Sequence, residues 1–201
     1  VQSNKILNSK LKIILDKISS FLFLTLIFSW LYPLIALAIK LESKGPALFV
    51  QKRVGLQGKV FNCYKFRTLY INKNSLDKDS LALSYTVPVT KVGAFLRKYN
   101  LDELPQFINV FLGSMSMVGP RPHAIAFHNV YKTYVPNIDD RLAIKPGITG
   151  WAQIQGLRGD VENEQENKIL ITKRVAADLY YIQNWSFGLD VKIILKTFLR
   201  L

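Results

Sequence analysis

Ile18-Ser19-Ser20-Phe21-Leu22-Phe23-Leu24-Thr25-Leu26-Ile27-Phe28-Ser29-Trp30-Leu31-Tyr32-Pro33-Leu34-Ile35-Ala36-Leu37-Ala38-Ile39 carries no charge. As a straight helix rising ~1.5 Å per residue it would extend about 33 Å, enough to cross the hydrocarbon core of a bilayer. Pro33 interrupts that reading. It has no N–H to give the Ser29 carbonyl, so a bend is expected over Ser29–Pro33. Lys5, Lys10, Lys12 and Lys17 precede the stretch and Lys40, Lys44, Lys52 and Arg53 follow it, so the positive-inside rule assigns both ends to the cytoplasm. One straight crossing cannot satisfy that. Two topologies stay open from the residues alone. One is an ordinary kinked crossing; the other is a helix that enters, breaks near Ser29–Pro33 and returns to the same face, its freed backbone groups met by protein or water. Upstream, residues 5–17 interleave lysines with Ile6, Leu7, Leu11, Ile13, Ile14 and Leu15, a basic amphipathic lead-in suited to lipid headgroups. A cleaved signal peptide fits poorly, because the segment runs into Lys40-Leu41-Glu42 with no small-residue cleavage pattern. The chain opens on Val1 rather than Met, which leaves room for residues upstream.

At 201 residues the chain suits one structural unit, with 1–44 as lead-in and membrane segment and 45–201 as the domain it serves. A formal charge of +13 with 49% hydrophobic residues points to anionic partners: nucleic acid, an acidic membrane surface or phosphorylated substrates. The single cysteine, Cys63, excludes an intramolecular disulfide and a cysteine zinc cluster and fits a reducing compartment. His123 and His128 are too few for a histidine metal site without carboxylates.

Beyond the Gly45-Pro46 turn, Ala47–Val54 and Lys59–Arg67 have strand character and join through Gly55-Leu56-Gln57-Gly58 as a hairpin. Lys65 and Arg67, two apart, leave the same face, suited to a pyrophosphate or to the guarded edge of a sheet. Asn72–Ser84 is polar and aperiodic, a mobile loop. Next comes Arg97-Lys98-Tyr99-Asn100-Leu101-Asp102-Glu103-Leu104-Pro105-Gln106, with two adjacent carboxylates flanked by bases and a proline tolerated in a helix's first turn. In a helix Asp102 and Glu103 project about 100° apart, suited to two tasks at one phosphate. Asn100 as an N-cap with Glu103 closing a capping box is the structural alternative. Phe107–Leu112 continues the helix to Gly113, and Met115–Val118 is a short strand. Two prolines in Gly119-Pro120-Arg121-Pro122 stiffen the presentation of one arginine, as bidentate phosphate recognition requires. Residues 123–142 are expected to be helical. Lys145–Gly159 is a glycine-bearing loop whose N–H groups could approach a ligand, with Trp151 against a base or sugar ring. Glu162–Glu166 is a solvated acidic run. Helix resumes over Thr172–Ile182 with Asp178 its isolated acid, and Asp190–Leu201 places Lys192, Lys196 and Arg200 on one face, an interfacial helix with Trp185 and Phe187 at headgroup depth. The chain is thus α+β and mostly helical, with a small β-hairpin.

Gly45-Pro46, Gln51-Lys52-Arg53-Val54-Gly55, Lys65-Phe66-Arg67-Thr68, Leu101-Asp102-Glu103-Leu104-Pro105-Gln106, Val118-Gly119-Pro120-Arg121-Pro122 and Lys145-Pro146-Gly147-Ile148-Thr149-Gly150-Trp151-Ala152-Gln153, read in order, resemble the bacterial sugar transferase family, the monotopic phosphoglycosyl transferases. The resemblance runs from about residue 12 to 201. Arg121-Pro122-His123-Ala124, Gly156-Leu157-Arg158-Gly159 and Tyr181-Ile182-Gln183-Asn184-Trp185-Ser186 resemble its undecaprenyl-phosphate glucose phosphotransferase branch, whose longer members carry further segments upstream. The resemblance implies a re-entrant helix broken at Ser29 and Pro33 on the cytoplasmic face of the bacterial inner membrane. It implies transfer of a sugar 1-phosphate from a UDP-sugar, UDP-glucose or UDP-galactose, to undecaprenyl phosphate, with Mg2+. By that resemblance Asp102 attacks phosphorus and carries the covalent sugar phosphate after UMP leaves, and Glu103 ligates the metal. Lys65, Arg67, Arg97, Arg121, Arg158, Gln153 and Asp178 are then the candidates for binding substrate and phosphate. The products would begin exopolysaccharide, capsule or O-antigen. Oligomeric state is left open.

Leu69 stands where the family commonly has methionine, Ser114 where it has aspartate, Gln155 where it has asparagine, and Tyr32 where a small residue precedes the proline. Gln155 bears on sugar preference. The competing reading, a membrane-tethered module that binds nucleic acid or anionic lipid without catalysis, does not account for two carboxylates at the centre of a basic surface. No RNA-recognition or helix-turn-helix pattern is present, so nucleic acid is not an expected partner.

Overall fold

The computed structural model describes residues 2–71, 87–161 and 163–199. The loop expected over Asn72–Ser84, Glu162 and the last two residues of the expected terminal helix lie outside the described residues. Among the described residues the chain is mostly helical with two small sheets.

After α1 (Gln2–Leu7), α2 (Lys10–Phe23), a π turn (Leu24–Phe28) and α3 (Ser29–Glu42) form one helix, Lys10–Glu42. Over the expected break at Ser29–Pro33 the backbone stays helical. Ser29 keeps helical angles (φ −56°, ψ −40°), and helix continues through Pro33; the irregularity is the π turn just upstream, where Ser29 N–H reaches back to the Leu24 carbonyl. Hydroxyls support that turn, Thr25 donating to the Phe21 carbonyl (2.9 Å) and Ser29 to that of Thr25 (2.7 Å). Leu22, Leu26, Trp30, Leu34, Leu37 and Leu41, at steps of three and four, are exposed and form one apolar stripe. The opposite face is docked along its length. Lys12 Nζ pairs with Asp190 (2.6 Å) and donates to the Val118 carbonyl (3.1 Å). Phe23 stacks on Phe107 at 3.8 Å, and Phe28 and Tyr32 meet Phe66 at 6.0 and 5.8 Å. Lys12 is therefore buried and does not face headgroups as the basic lead-in suggested. Both ends of the apolar helix rest on one folded body.

β1 (Leu48–Val54) and β2 (Val60–Phe66) make the expected antiparallel hairpin, Leu48 opposite Phe66 and Val54 opposite Val60. Its tight connection places Gln57 and Gly58 at positive φ. The outer edge of β1 is covered: Val54 N–H donates to the His123 carbonyl (3.0 Å), and Arg53 is bridged to Ala124. α4 (Lys91–Lys98) starts at Thr90, whose hydroxyl accepts from Gly93 N–H (2.8 Å), and the Glu42 carboxylate accepts from Lys91 and Val92 N–H (2.5 and 2.8 Å). The end of the apolar helix thus caps the next one. A short 3₁₀ turn (Leu101–Glu103) leads into α5 (Gln106–Leu112), which Gly113 ends at φ 87°.

β3 (Ser116–Val118) pairs in parallel with β4 (Gly147–Thr149), so part of the glycine-bearing loop is strand. Close approach explains the glycine: a Cβ on Gly147 would stand 2.1 Å from the Gly119 nitrogen. Between them, α6 (Ile125–Tyr134) ends sooner than expected because Val135 precedes Pro136 and is extended (φ −130°, ψ 96°); a 3₁₀ stretch (Ile138–Ala143) follows. α7 (Trp151–Ile154) is one turn. α8 (Glu164–Gln183) begins earlier than expected, with the Asn163 side chain accepting from Glu166 N–H. α9 (Phe187–Phe198) closes the chain. Val118, Ile144, Ile154, Tyr181, Trp185 and Ile193 belong to one apolar cluster. Trp185 is in this core, its Nε1 donating to Asp190 (3.2 Å), rather than at headgroup depth; Phe187 is exposed.

Candidate active site

Tyr99 ends α4, and Asn100 takes the left-handed conformation (φ 54°, ψ 19°), which few residues with a Cβ adopt as readily as asparagine. Asn100 makes no side-chain cap, so no capping box forms. Asp102 and Glu103 lie on the 3₁₀ turn that follows, where consecutive side chains diverge by about 120°. Glu103 reaches Lys65 Nζ (2.7 Å) from β2 and is held bidentately by Arg121, its Oε2 at 2.9 Å from Nη1 and its Oε1 accepting from Nη2. Asp102 faces Lys65 Nζ at 3.8 Å and, among the described residues, accepts no hydrogen bond.

These neighbours separate the acids electrostatically. Burial pushes the Asp102 carboxyl above the usual range; Lys65 opposes this and the adjacent Glu103 charge adds to it. Burial would also raise Glu103, but Arg121 and then Lys65 hold it well below the usual range. Glu103 in turn raises the Arg121 pKa. The result is one permanently ionised carboxylate clasped by two cations, beside a second, buried one with its oxygens free of hydrogen bonds from the described residues.

Lys65, Asp102, Glu103 and Arg121 are thus brought together as expected. Arg97 lies alongside, its Nε donating to Thr68 Oγ1 (2.9 Å) and its charge acting on Asp102. Arg158 reaches the turn through Asn100 Oδ1 (3.3 Å). Three expected residues are elsewhere. Arg67 is buried and donates to the carbonyls of Ser43, Lys44 and Pro46 (2.8, 3.0 and 2.8 Å), fixing the chain as it leaves α3. Asp178 is buried against Arg141, which donates from Nε (2.9 Å) and Nη2 (2.6 Å). Gln153 is buried in its own loop, donating to the Ile148 carbonyl (2.9 Å). Trp151 stacks on Tyr180 at 5.6 Å.

Two arginines escaped notice. In the sequence Arg53 is a charge flanking the apolar stretch and part of the Gln51–Gly55 motif, and Arg141 is one residue of a segment expected to be helical. Arg53 Nη1 donates to the Pro122 carbonyl (2.6 Å) and Arg141 Nη2 to that of Arg121 (2.7 Å). Separations of 69 and 20 residues left no local signal for either contact.

Among the described residues no cluster of three or more His, Cys, Asp or Glu could hold a metal. Magnesium commonly takes one or two carboxylates and draws its remaining ligands from water and substrate phosphates. An ionised Glu103 fits a shared site of that kind, not a cage preformed by the protein.

The family profile described as bacterial sugar transferase matches residues 7–201. The chain is 48% identical over 164 residues to the UDP-glucose:undecaprenyl-phosphate glucose-1-phosphate transferase of Escherichia coli (strain K12), covering 81% of this chain and 34% of that protein. It is 46% identical over 186 residues to the protein of the same name from Caulobacter vibrioides, covering 92% and 67%. It is 40% identical over 171 residues to the UDP-N-acetylgalactosamine-undecaprenyl-phosphate N-acetylgalactosaminephosphotransferase of Aeromonas hydrophila, covering 85% and 39%. The chain spans between about a third and two thirds of the length of these relatives.

Proposed function

The chain belongs to the bacterial sugar transferase family, and from that premise we propose that it transfers a sugar 1-phosphate from a UDP-sugar to undecaprenyl phosphate through a covalent intermediate on Asp102. One Asp102 oxygen forms a bond to the sugar-bearing phosphorus as the bond to UMP breaks; a lipid phosphate oxygen then displaces Asp102 and restores the carboxylate. Splitting the transfer in two lets one anion site serve the phosphates of the donor and of the lipid acceptor in turn. The observation that carries this reading is the division between the acids: Glu103 immobilised by Lys65 and Arg121, and Asp102 next to them with no hydrogen bond from the described residues to blunt it. Lys65 and Arg121 are placed to offset charge building on the phosphate oxygens, with Arg97 and Arg158 at the margin. Magnesium bound by Glu103 together with the diphosphate would supply further charge neutralisation.

The exposed apolar stripe and the docking of both helix ends on one body support a monotopic protein at the cytoplasmic face of the inner membrane. Glucose and N-acetylgalactosamine appear in the relatives' names; glucose or galactose is the sugar we favour, for a product that begins exopolysaccharide, capsule or O-antigen. Incubation with UDP-sugar labelled in the sugar, with Mg2+ and without lipid, should label the protein. Asp102→Asn should lose the label and UMP release together. An unlabelled wild type that nevertheless turns over with lipid present would refute the two-step route.

A further inference from the structure

The segment that presents Arg121 is poor in main-chain donors. Pro120 and Pro122 have no N–H, so neither residue can be pinned by donating, and the carbonyls are the handles left at these two positions. The carbonyls of Pro120, Pro122 and the Arg121 between them are all gripped. The Pro120 carbonyl accepts from Gly147 N–H (3.0 Å), that of Arg121 from Arg141 Nη2 (2.7 Å), and that of Pro122 from Arg53 Nη1 (2.6 Å). We propose that Arg53 is a positioning residue, acting through the Pro122 carbonyl to set where the Arg121 guanidinium meets Glu103 and the substrate's diphosphate.

Its surroundings favour a role in geometry over one in stability. Arg53 Nη2 is held by Gln51 Oε1 (3.0 Å) on the same face of β1, and its buried Nε has no hydrogen-bond partner among the described residues. Burial and the neighbouring Arg121 charge both disfavour its ionised form. A half-buried cation beside a like charge, with its Nε donor unpaired among the described residues, costs stability, and such costs gather where function demands a fixed arrangement. Lysine at this position would keep the charge but present one ammonium on a flexible stem in place of a planar fork.

The inference rests on the transferase reading above, and the experiment separates the two. UMP release and the dissociation constant for UMP are measured on the full chain in detergent for Arg53→Lys, Arg121→Lys and the double variant. Displacing a substrate-binding group by about 1 Å can cost on the order of 100-fold, so Arg53→Lys should lower kcat/KM for UDP-sugar by about that factor and weaken UMP binding. In the Arg121→Lys background the same change should cost less than about 3-fold, because the group Arg53 positions is already altered. Losses that multiply independently would overturn the role, as would an Arg53→Lys enzyme of wild-type activity. Should Arg53→Lys fail to fold, Gln51→Ala loosens the same guanidinium without changing its charge and must show the same dependence on Arg121. A wild-type chain that neither releases UMP nor forms the adduct counts against the transferase reading itself.

Discussion

At the scale of residues, the acidic pair sets how the site responds to pH. On the proposed mechanism Asp102 must be ionised to attack, and burial raises its pKa above the ordinary aspartate range. The acid limb of kcat/KM for UDP-sugar should therefore fall at a pH above the ordinary aspartate range and belong to Asp102, since Glu103 stays ionised well below it. For stability the signs are opposite. A carboxyl whose folded pKa is raised destabilises the fold once pH climbs through that pKa, whereas Glu103, depressed, adds stability above its unfolded pKa that is lost as pH falls through its folded one. Asp102→Asn should thus abolish the adduct while raising Tm by about 2–4 °C, what about 1 kcal/mol amounts to in a chain of this size. A calorimetric scan checks it; a clear fall in Tm would mean that the Asp102 charge is stabilising. That Asp102 and Glu103 form an acidic pair set among basic side chains was legible from their isolation in the sequence. That they sit on a 3₁₀ turn after a left-handed Asn100 was not, because local patterning fits the capping box equally well.

Elements were legible where period or punctuation was strong and misplaced where a tertiary contact decided. The hairpin, α5 and its Gly113 stop came from alternation and glycine placement. The parallel β3–β4 pair did not, because its strands are three residues long and 31 positions apart, too short for a period of two to register. Pro33 lies inside continuous helix, and the irregularity of this segment is the π turn upstream, where Thr25 and Ser29 hydroxyls donate to the Phe21 and Thr25 carbonyls. α4 offers a test of context against propensity. Alanine is favoured over glycine by about 1 kcal/mol inside a helix, yet a Cβ on Gly93 would stand 2.2 Å from the Thr68 carbonyl oxygen. Gly93→Ala should therefore lower stability, by about 1–3 kcal/mol as overpacked substitutions do, with activity falling because α4 leads directly into the Asn100 turn. Thermal melting reads the first effect, and UMP release from UDP-sugar reads the second.

Across the whole molecule, the first and last helical regions are tied by a buried polar cluster: Lys12, Asp190, Tyr181 and Trp185, with Tyr181 Oη donating to Asp190 (2.6 Å). Lys12→Met alone leaves Asp190 buried without its cation and should cost about 3–5 kcal/mol, while Lys12→Met with Asp190→Leu should recover much of that loss; chemical denaturation of the two variants decides. Membrane topology has its own test. Lys10 and Lys44 are exposed near the two ends of the apolar helix, and Cys63 is 1% exposed and so silent. Cysteines placed at 10 and 44 in whole cells should both resist an outside thiol reagent; labelling at one position only means a true crossing. The amino-acid sequence by itself determined the apolar helix, the hairpin, the acidic pair and the stiffened Arg121, because each is written in neighbouring residues as hydrophobicity, alternation, charge contrast or fixed dihedrals. Tertiary structure alone decided that Arg67 and Asp178 hold the frame and that Arg53 and Arg141 grip the Arg121 segment. The side chain of an arginine is the same whether it meets a phosphate or a carbonyl, and only the folded path of the chain settles which oxygen comes within reach.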